Sequence, residues 1–339
     1  MKKAFKLFAV FFVVSFILLT AGGLAIKKDS VNYGEIYNHF AKLVNTGQSE
    51  NIAQVPQLVD ISSAKGLTSE DSLTYQLNEF NTIEIYANSC IAELHEAEGS
   101  DKLSISYDYK NELKGNTAIH TAVKDGTLYI QNEFSDTAAA NKEDVSIILQ
   151  IPDSFKGGYS LKGENCIYKL ESPESAMDID ISVINSSVEA CDVTAENISV
   201  MLNDSKADIE TLTAEEGVVM NCASSQMTVD GINAVYTNAN ISSAVLTVLG
   251  ANGSFNLDAD FSRIAARFSQ ISANLQFNFS KSQAEVTFPK NTDALLRYKG
   301  GYSVFKNNTT LEYSDEENKN NRYFVETNVD FSIVTFAEK

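Results

Sequence analysis

Apolar and polar residues exchange places at every second position over much of the chain. Thr82 to Ala87 (TIEIYA), Leu103 to Tyr109 (LSISYDY), Ala118 to Lys124, Thr127 to Asn132 and Val145 to Ile151 (VSIILQI) each show that period or the β-branched content of a strand. Lys124-Asp125-Gly126-Thr127 lies between two of them. Asp-Gly is a preferred core of a two-residue type I′ hairpin, because both central residues need positive φ. Residues 78–152 therefore read as an antiparallel opening, with Asp136 to Glu143 as an exposed loop. Pro152 closes it, since proline has no N–H to give a ladder. Ahead of this stretch the period is helical: from Val31 to Ser63, Ile36, Phe40, Leu43 and Val44 share a face, with Asp29 or Ser30 as a cap. Residues 29–77 are expected to form a helical stalk or packing helix followed by a linker over Lys65 to Ser72.

After Pro152 a longer rhythm begins. Asn185, Asn203, Asn221 and Asn238 recur at spacings of 18, 18 and 17, and Ser187, Ser205, Ser225 and Ser243 close the four polar clusters. With the first three serines as anchors, Cys191, Ile209 and Val229 stand four residues on, and Thr194, Leu212 and Ile232 seven on. The fourth copy drifts to Val245, Leu246 and Val248. A unit of this length cannot close a core alone, but units stacked in parallel bury a continuous column. The Asn and Ser clusters become its corners, because Asn tolerates the left-handed conformation and both side chains bond their own backbone. Residues 153–262 are assigned to stacked repeats. Beyond Gly253 strict alternation returns, in Phe255, Leu257, Ala259 and Phe261 and then Ile271 to Phe279. Ala284 to Pro289 and Asp330 to Phe336 follow, so that residues 263–339 are expected to cap the column. The predicted fold is all-β, either a β-helix-like stack or an elongated β-sandwich, preceded by a transmembrane helix and a short stalk.

That first helix rests on Leu7 to Ile26, an uncharged run of 20 residues between Lys6 and Lys27-Lys28. At 1.5 Å per residue it matches a hydrocarbon core of ~30 Å, whereas a signal peptide has an apolar region of about 7–15 residues. Residues 1–28 read as an uncleaved anchor with its basic end in the cytoplasm, or as a signal segment cut near Ala21 to Ala25. The expected location is the cell membrane, single-pass with the C-terminal domain outside, or secretion after cleavage. Charge narrows the partners: 26 Lys plus Arg against 45 Asp plus Glu leave −19, a field that repels nucleic acid. Within that balance, Glu164 to Ser262 holds sixteen acids and only Lys169 and Lys206. Arg263 to Lys306 then carries seven bases against Glu285 and Asp293. A basic end meeting an acidic flank would give salt-sensitive self-association.

Candidate chemistry is thin. Ser62-Ser63-Ala64-Lys65 meets S-x-x-K, but no S-D-N or K-T-G follows. His95-Glu96 starts no H-E-x-x-H, and His39, His95 and His120 lie in separate segments. Cys90, Cys166, Cys191 and Cys222 are spaced by 76, 25 and 31, unlike a zinc or redox motif, and read as small buried thiols with disulfides left open. A sugar-cleaving β-helix would need an acid and a base gathered on one groove, and here the acids are spread over every unit. No catalytic, cofactor-binding or metal residue is assigned. The Asn-x-Ser matches at Asn185, Asn197, Asn203, Asn240, Asn252 and Asn278 are expected to be by-products of corner chemistry rather than glycan sites.

The order of VSIILQIPDSF, SKADIETL, SQMTVDGI and AEVTFPKNTD behind an amino-terminal anchor resembles the bacterial putative-adhesin family of β-strand-repeat envelope proteins, also called toast-rack domains. The likeness covers about Phe80 to Phe305, although Asn and Ser replace that family's Gly-Asp turns. The resemblance implies an extracytoplasmic, non-enzymatic domain that contacts a protein or glycan at the envelope. The alternatives are a membrane-anchored envelope-stress sensor and, more distantly, a carbohydrate-active β-helix enzyme.

Overall fold

The structure is a computed structural model that describes residues 61, 66–67, 72–109, 117–134, 145–314 and 323–339. The expected anchor over 1–28, nearly all of the expected helix over 31–63, Ser62 to Lys65, His39 and the loop over 136–143 lie outside the described residues. Among the described residues no helix is long and apolar enough to cross a membrane; apart from one short 3-10 turn at Leu77–Glu79, the regular structure is β.

The chain winds in coils whose strands pair in parallel, in the middle coils each residue with one about 19 positions further on. One wall, the back wall, is a ladder through Gly158–Glu164, Ile179–Ile184, 197–203, 217–223, 236–242, 254–260 and Leu275–Ser280. The front wall is a second ladder through Ile91–Ala97, Ile167–Leu170, 187–190, 206–209, 226–229, 245–248, 263–267 and Gln283–Phe288. In the middle coils a narrow side wall joins them, pairing 192–195 with 211–214 and 211–213 with 231–233. The bend between front and side walls shows in burial: Cys191 and Asp192 both point outward, so the inside–outside alternation slips by one residue there.

Each coil turns from back wall to front wall at one residue in the left-handed region. These are Ser89, Asn165, Asn185, Asp204, Ser224, Ser243, Phe261, Lys281, Phe331 and Tyr302, with φ between 48° and 54°. Asn185 is a corner, as the sequence indicates. The residue after each corner is small and, except for half-buried Ser303, fully buried: Cys90, Cys166, Ser186, Ser205, Ser225, Ala244, Ser262, Ser282, Ser332 and Ser303. In most of these serines Oγ donates to the carbonyl two residues back, as Ser205 does to Asn203 at 2.7 Å, and accepts the backbone N–H of the coil below. Cys166 N–H donates to Ser186 Oγ at 2.9 Å, Ser186 N–H to Ser205 at 3.0 Å, and Ser205 N–H to Ser225 at 3.0 Å. The ladder resumes from Ala244 N–H to Ser262 at 3.2 Å and runs on through Ser282, Ser332 and Ser303. It satisfies a row of buried corner N–H groups that no strand reaches.

This register corrects the one read from the sequence. The true step runs 19, 20, 19, 18 and 20 residues along the corners from Asn185 to Lys281, and the buried anchor of the first copy is Ser186 rather than Ser187. Ala190, not Cys191, pairs with Ile209 and is buried, and Val193, not Thr194, lies level with Leu212; Cys191 is exposed. Two adjacent serines fit the anchor equally well in sequence, and the choice of the wrong one shifts every side chain to the other face.

The opening is also more mixed than expected. The hairpin at Asp125-Gly126 forms with both φ values positive, 51° and 78°, and 102–109 pairs antiparallel with Val145–Pro152. Thr82–Asn88 and Ile91–Ala97, however, already form a coil in parallel register with Gly158–Glu164 and Ile167–Leu170. Alternation marks a strand without revealing the sense of its neighbours. Gly66–Leu67 and Leu73–Gln76, read as stalk and linker, are short antiparallel edge strands. The aromatic residues beyond Gly253 do not act as an outer cap. Phe255, Phe268, Phe277, Phe279, Phe288 and Phe336 are fully buried and pack ring to ring inside the column, with Phe288 and Phe336 centroids 5.2 Å apart.

Candidate interaction surface

With alternate residues committed to the core, the outward residues fall into columns, one residue per coil, about 4.8 Å apart. On the back wall Asn221, Asn240, Asp258, Asn278 and Asn328 stand in one column. Their amides bond along it: Asn240 Nδ2 donates to Asn221 Oδ1 at 2.8 Å, Asn278 to Asp258 at 2.5 Å and Asn328 to Asn278 at 2.7 Å. The neighbouring column holds Asn238, Asn256, Gln276 and Glu326, and the next Ser242, Asp260, Ser280 and Asp330. A further amide pair, Asn252 to Asn233 at 2.8 Å, lies on the side wall. Asn278 both donates to Asp258 and accepts from Asn328, while Asn240 and Asn328 each donate one N–H along the column and keep a second on the amide nitrogen. Oδ1 of Asn256 is itself buried and has no hydrogen-bond partner among the described residues. The back wall is thus a rigid array of hydrogen-bonding groups at fixed spacing. It can engage hydroxyls or peptide groups of a partner.

The sequons follow the same geometry. Asn240, Asn252 and Asn278 are rungs of these ladders, and Asn197 donates to Asp178 at 3.1 Å.

The front wall is charged. Toward the early coils His95 lies between two carboxylates, with Nδ1 2.9 Å from Glu171 and Nε2 3.3 Å from Glu93, while Lys169 Nζ lies 2.9 Å from Glu93. The Glu171 contact, followed by that to Glu93, raises the His95 pKa above its ordinary value; the Lys169 hydrogen bond holds Glu93 below the ordinary carboxylate range. His95 is therefore an ion-pairing strand residue. His120 lies on another strand, opposite Gln131. Among the described residues no group of three His, Cys, Asp or Glu side chains is arranged to hold a metal ion. The sixteen acids between Glu164 and Ser262 are distributed over the outer faces of all the coils.

The four cysteines are free thiols. Cys90 and Cys166 take the buried corner position that serine occupies elsewhere, and burial pushes the Cys222 thiol up to about 12. The sequence correctly reads three of them as small core residues; the slipped register misplaces Cys191. The amide ladders are missed in sequence because they depend on which residues share a column, and the true step varies between 18 and 20 residues.

No protein-family model matches the chain, and no curated protein matches it. Solved structures similar to it include a putative adhesin from Bacteroides fragilis, 13% identical, covering 78% of this chain and 96% of that one, with a TM-score of 0.42. A putative adhesin from Parabacteroides distasonis is 14% identical, covering 81% and 98%, with a TM-score of 0.42. A putative cell adhesion protein from Clostridium sporogenes is 12% identical, covering 81% and 100%, with a TM-score of 0.19. The names of these neighbours are those of the family that the sequence resembles.

Proposed function

We propose that the chain is a non-enzymatic, adhesin-type interaction module, held at the membrane by residues 7–26 with its β column outside the cytoplasm. The observation that carries this reading is the back-wall array: amides and hydroxyls in register over several coils, backed by the core. A flat surface of that kind gives many weak, aligned hydrogen bonds to an extended partner such as a glycan or a peptide strand. The uncharged run at 7–26 with lysines at both ends supports an anchor, and the net charge of −19 disfavours nucleic acid as the partner.

The test compares cells displaying the full chain with cells displaying Asn240→Asp, Asn278→Asp and Asn328→Asp together. These substitutions keep the shape, remove three outward donors and place like charges in one column. Adherence of whole cells to a panel of immobilised glycans and matrix proteins should fall about tenfold, a loss of roughly 1.4 kcal/mol, at unchanged surface display. Equal adherence by the variant, the parent and cells lacking the chain would overturn the proposal. Release of reducing sugar from the same glycans would overturn its non-enzymatic part.

A further inference from the structure

The last coil in space, 294–308, is covered on one wall and open on the other. On the back wall residues 312–313 pair beyond it, with 295–296. On the front wall 304–308 pairs on one side only among the described residues, with 333–337. Val304 N–H donates to the Ser332 carbonyl at 2.9 Å, and successive residues of a strand turn their backbone groups to opposite sides. The N–H and C=O of Phe305 and of Asn307 therefore face the open side, where they form a template for a further strand. Beside that edge the corners change character. The six from Ser89 to Ser243 use Ser, Asn or Asp in the left-handed region, whereas the four that follow in space are Phe261, Lys281, Phe331 and Tyr302. A bulky side chain is disfavoured there, and the six polar corners show that the turn does not require a ring. Lys281 Nζ lies 4.6 Å from the Phe261 ring. The last two rings stack on each other with centroids 5.3 Å apart and remain open, Phe331 at 42% and Tyr302 at 77% exposure. Val304 and Ile333, paired across the same two coils, are exposed as well. Backbone strain retained under an exposed ring points to a contact that the ring makes.

Charge selects the occupant. On a chain of net charge −19, the coil 294–308 holds Arg297, Lys299 and Lys306 and no Asp or Glu. Lys306 stands exposed in the middle of the edge strand. In antiparallel pairing of two copies centred on that residue the two ammonium groups would meet, and like charges placed opposite each other destabilise a sheet. A strand that brings a carboxylate to the same place is favoured instead. We propose that the free side of 304–308 receives an extended, acidic peptide segment of another protein as an added strand. The backbone groups of Phe305 and Asn307 pair with it, one of its apolar or aromatic side chains seats on Tyr302 and Val304, and its carboxylates lie against Lys306. On the back wall the chain itself takes the same step at 312–313. The amide columns of the back wall take no part, so this site is separate from the one proposed above.

The test selects a phage-displayed library of random peptides against the full-length chain held in lipid discs. The selected peptides should be acidic and rich in β-branched and aromatic residues. They should bind Tyr302→Asn about tenfold more weakly. The thermal midpoint of that variant should stay level or rise, because Asn suits the left-handed corner that Tyr302 occupies. Selection against Lys306→Glu should yield basic peptides in place of acidic ones. Asn240→Asp, Asn278→Asp and Asn328→Asp together should leave peptide binding unchanged, so a failure of the back-wall reading and a failure of this one are told apart. Selected peptides with no bias in charge, equal binding by Tyr302→Asn, a lowered midpoint in that variant, or sedimentation of the parent as a dimer that the peptides dissociate would each overturn the proposal.

Discussion

At the scale of single residues, the corner serines do the work of a side-chain cap repeated once per coil. Removing Ser205 Oγ leaves the buried Ser186 N–H without its acceptor, and the cost is the desolvation of that group, about 1–3 kcal/mol. Ser205→Ala should therefore lower the denaturant midpoint clearly. Ala244 interrupts the ladder, since it offers no hydroxyl to the Ser225 N–H, and Ala244→Ser should raise stability by about 1 kcal/mol. Chemical unfolding of the two variants should shift in opposite directions; shifts of the same sign would show that the ladder is not what holds the corner. Register makes a second prediction. Ala190 is buried level with Ile209, so Ala190→Asp places a carboxylate in the core and should prevent cooperative unfolding at neutral pH. Cys191→Asp lies on an exposed, already acidic face and should change stability by less than about 0.5 kcal/mol. Comparable loss in both would restore the register read from the sequence.

Between elements, the clearest coupling joins the strand 91–97 to 167–170 across the front wall. His95, Glu93, Lys169 and Glu171 form one ion-pair group there, and the directions of its shifts fix its pH dependence. His95 is raised, so its contribution is complete below its ordinary value of 6.5 and fades as the pH rises through the raised one. Glu93 is lowered, so its contribution is complete above its ordinary value of 4.5 and fades as the pH falls through the lowered one. Both act fully between about pH 4.5 and 6.5. The thermal midpoint should drop between pH 6 and pH 8, and His95→Gln should flatten that part of the curve; an unchanged slope would remove His95 as its cause. Elements of this kind also show what was legible beforehand. The period of two located five strands of the early segment to within a residue or two but missed Ile91–Ala97, and Asp125-Gly126 marked its hairpin. Whether strands pair in parallel or antiparallel, and which coil follows which, depends on partners distant in sequence. Thr82–Asn88 accordingly read as part of an antiparallel opening and is part of a parallel coil. The interaction surface was legible only as composition, in the frequency of Asn and Ser, because a column exists only once the coils are stacked.

At the scale of the whole β column, both ends are closed out of sequence order. The coil 82–97 lies between 127–152 and 158–170. At the other end, the last coil in sequence, 323–338, lies between 275–288 and 294–308 in both walls. The chain thus lays down 294–308 one step too far along the column, and its final residues fill the gap. An ordinary repeat array frays from its terminal unit, because each coil depends only on its neighbour. Here the terminal coil in space is held by the last coil in sequence, and 294–308 loses its wall pairing when 323–338 opens, whereas 323–338 also pairs with 275–288. Phe336 sits at that joint, fully buried, with ring centroids 5.2 Å from Phe288 and 5.0 Å from Phe305. Phe336→Ala should cost about 3–5 kcal/mol, and the loss should be local to the joint. In hydrogen exchange of this variant, amides of 294–308 and 323–338 should lose protection together, as one cooperative unit, while 226–248 keeps its own. Retained protection over 294–308 after 323–338 has opened would mean that the spatially last coil stands without the inserted one, and the out-of-order closure would then contribute nothing to the stability of that end.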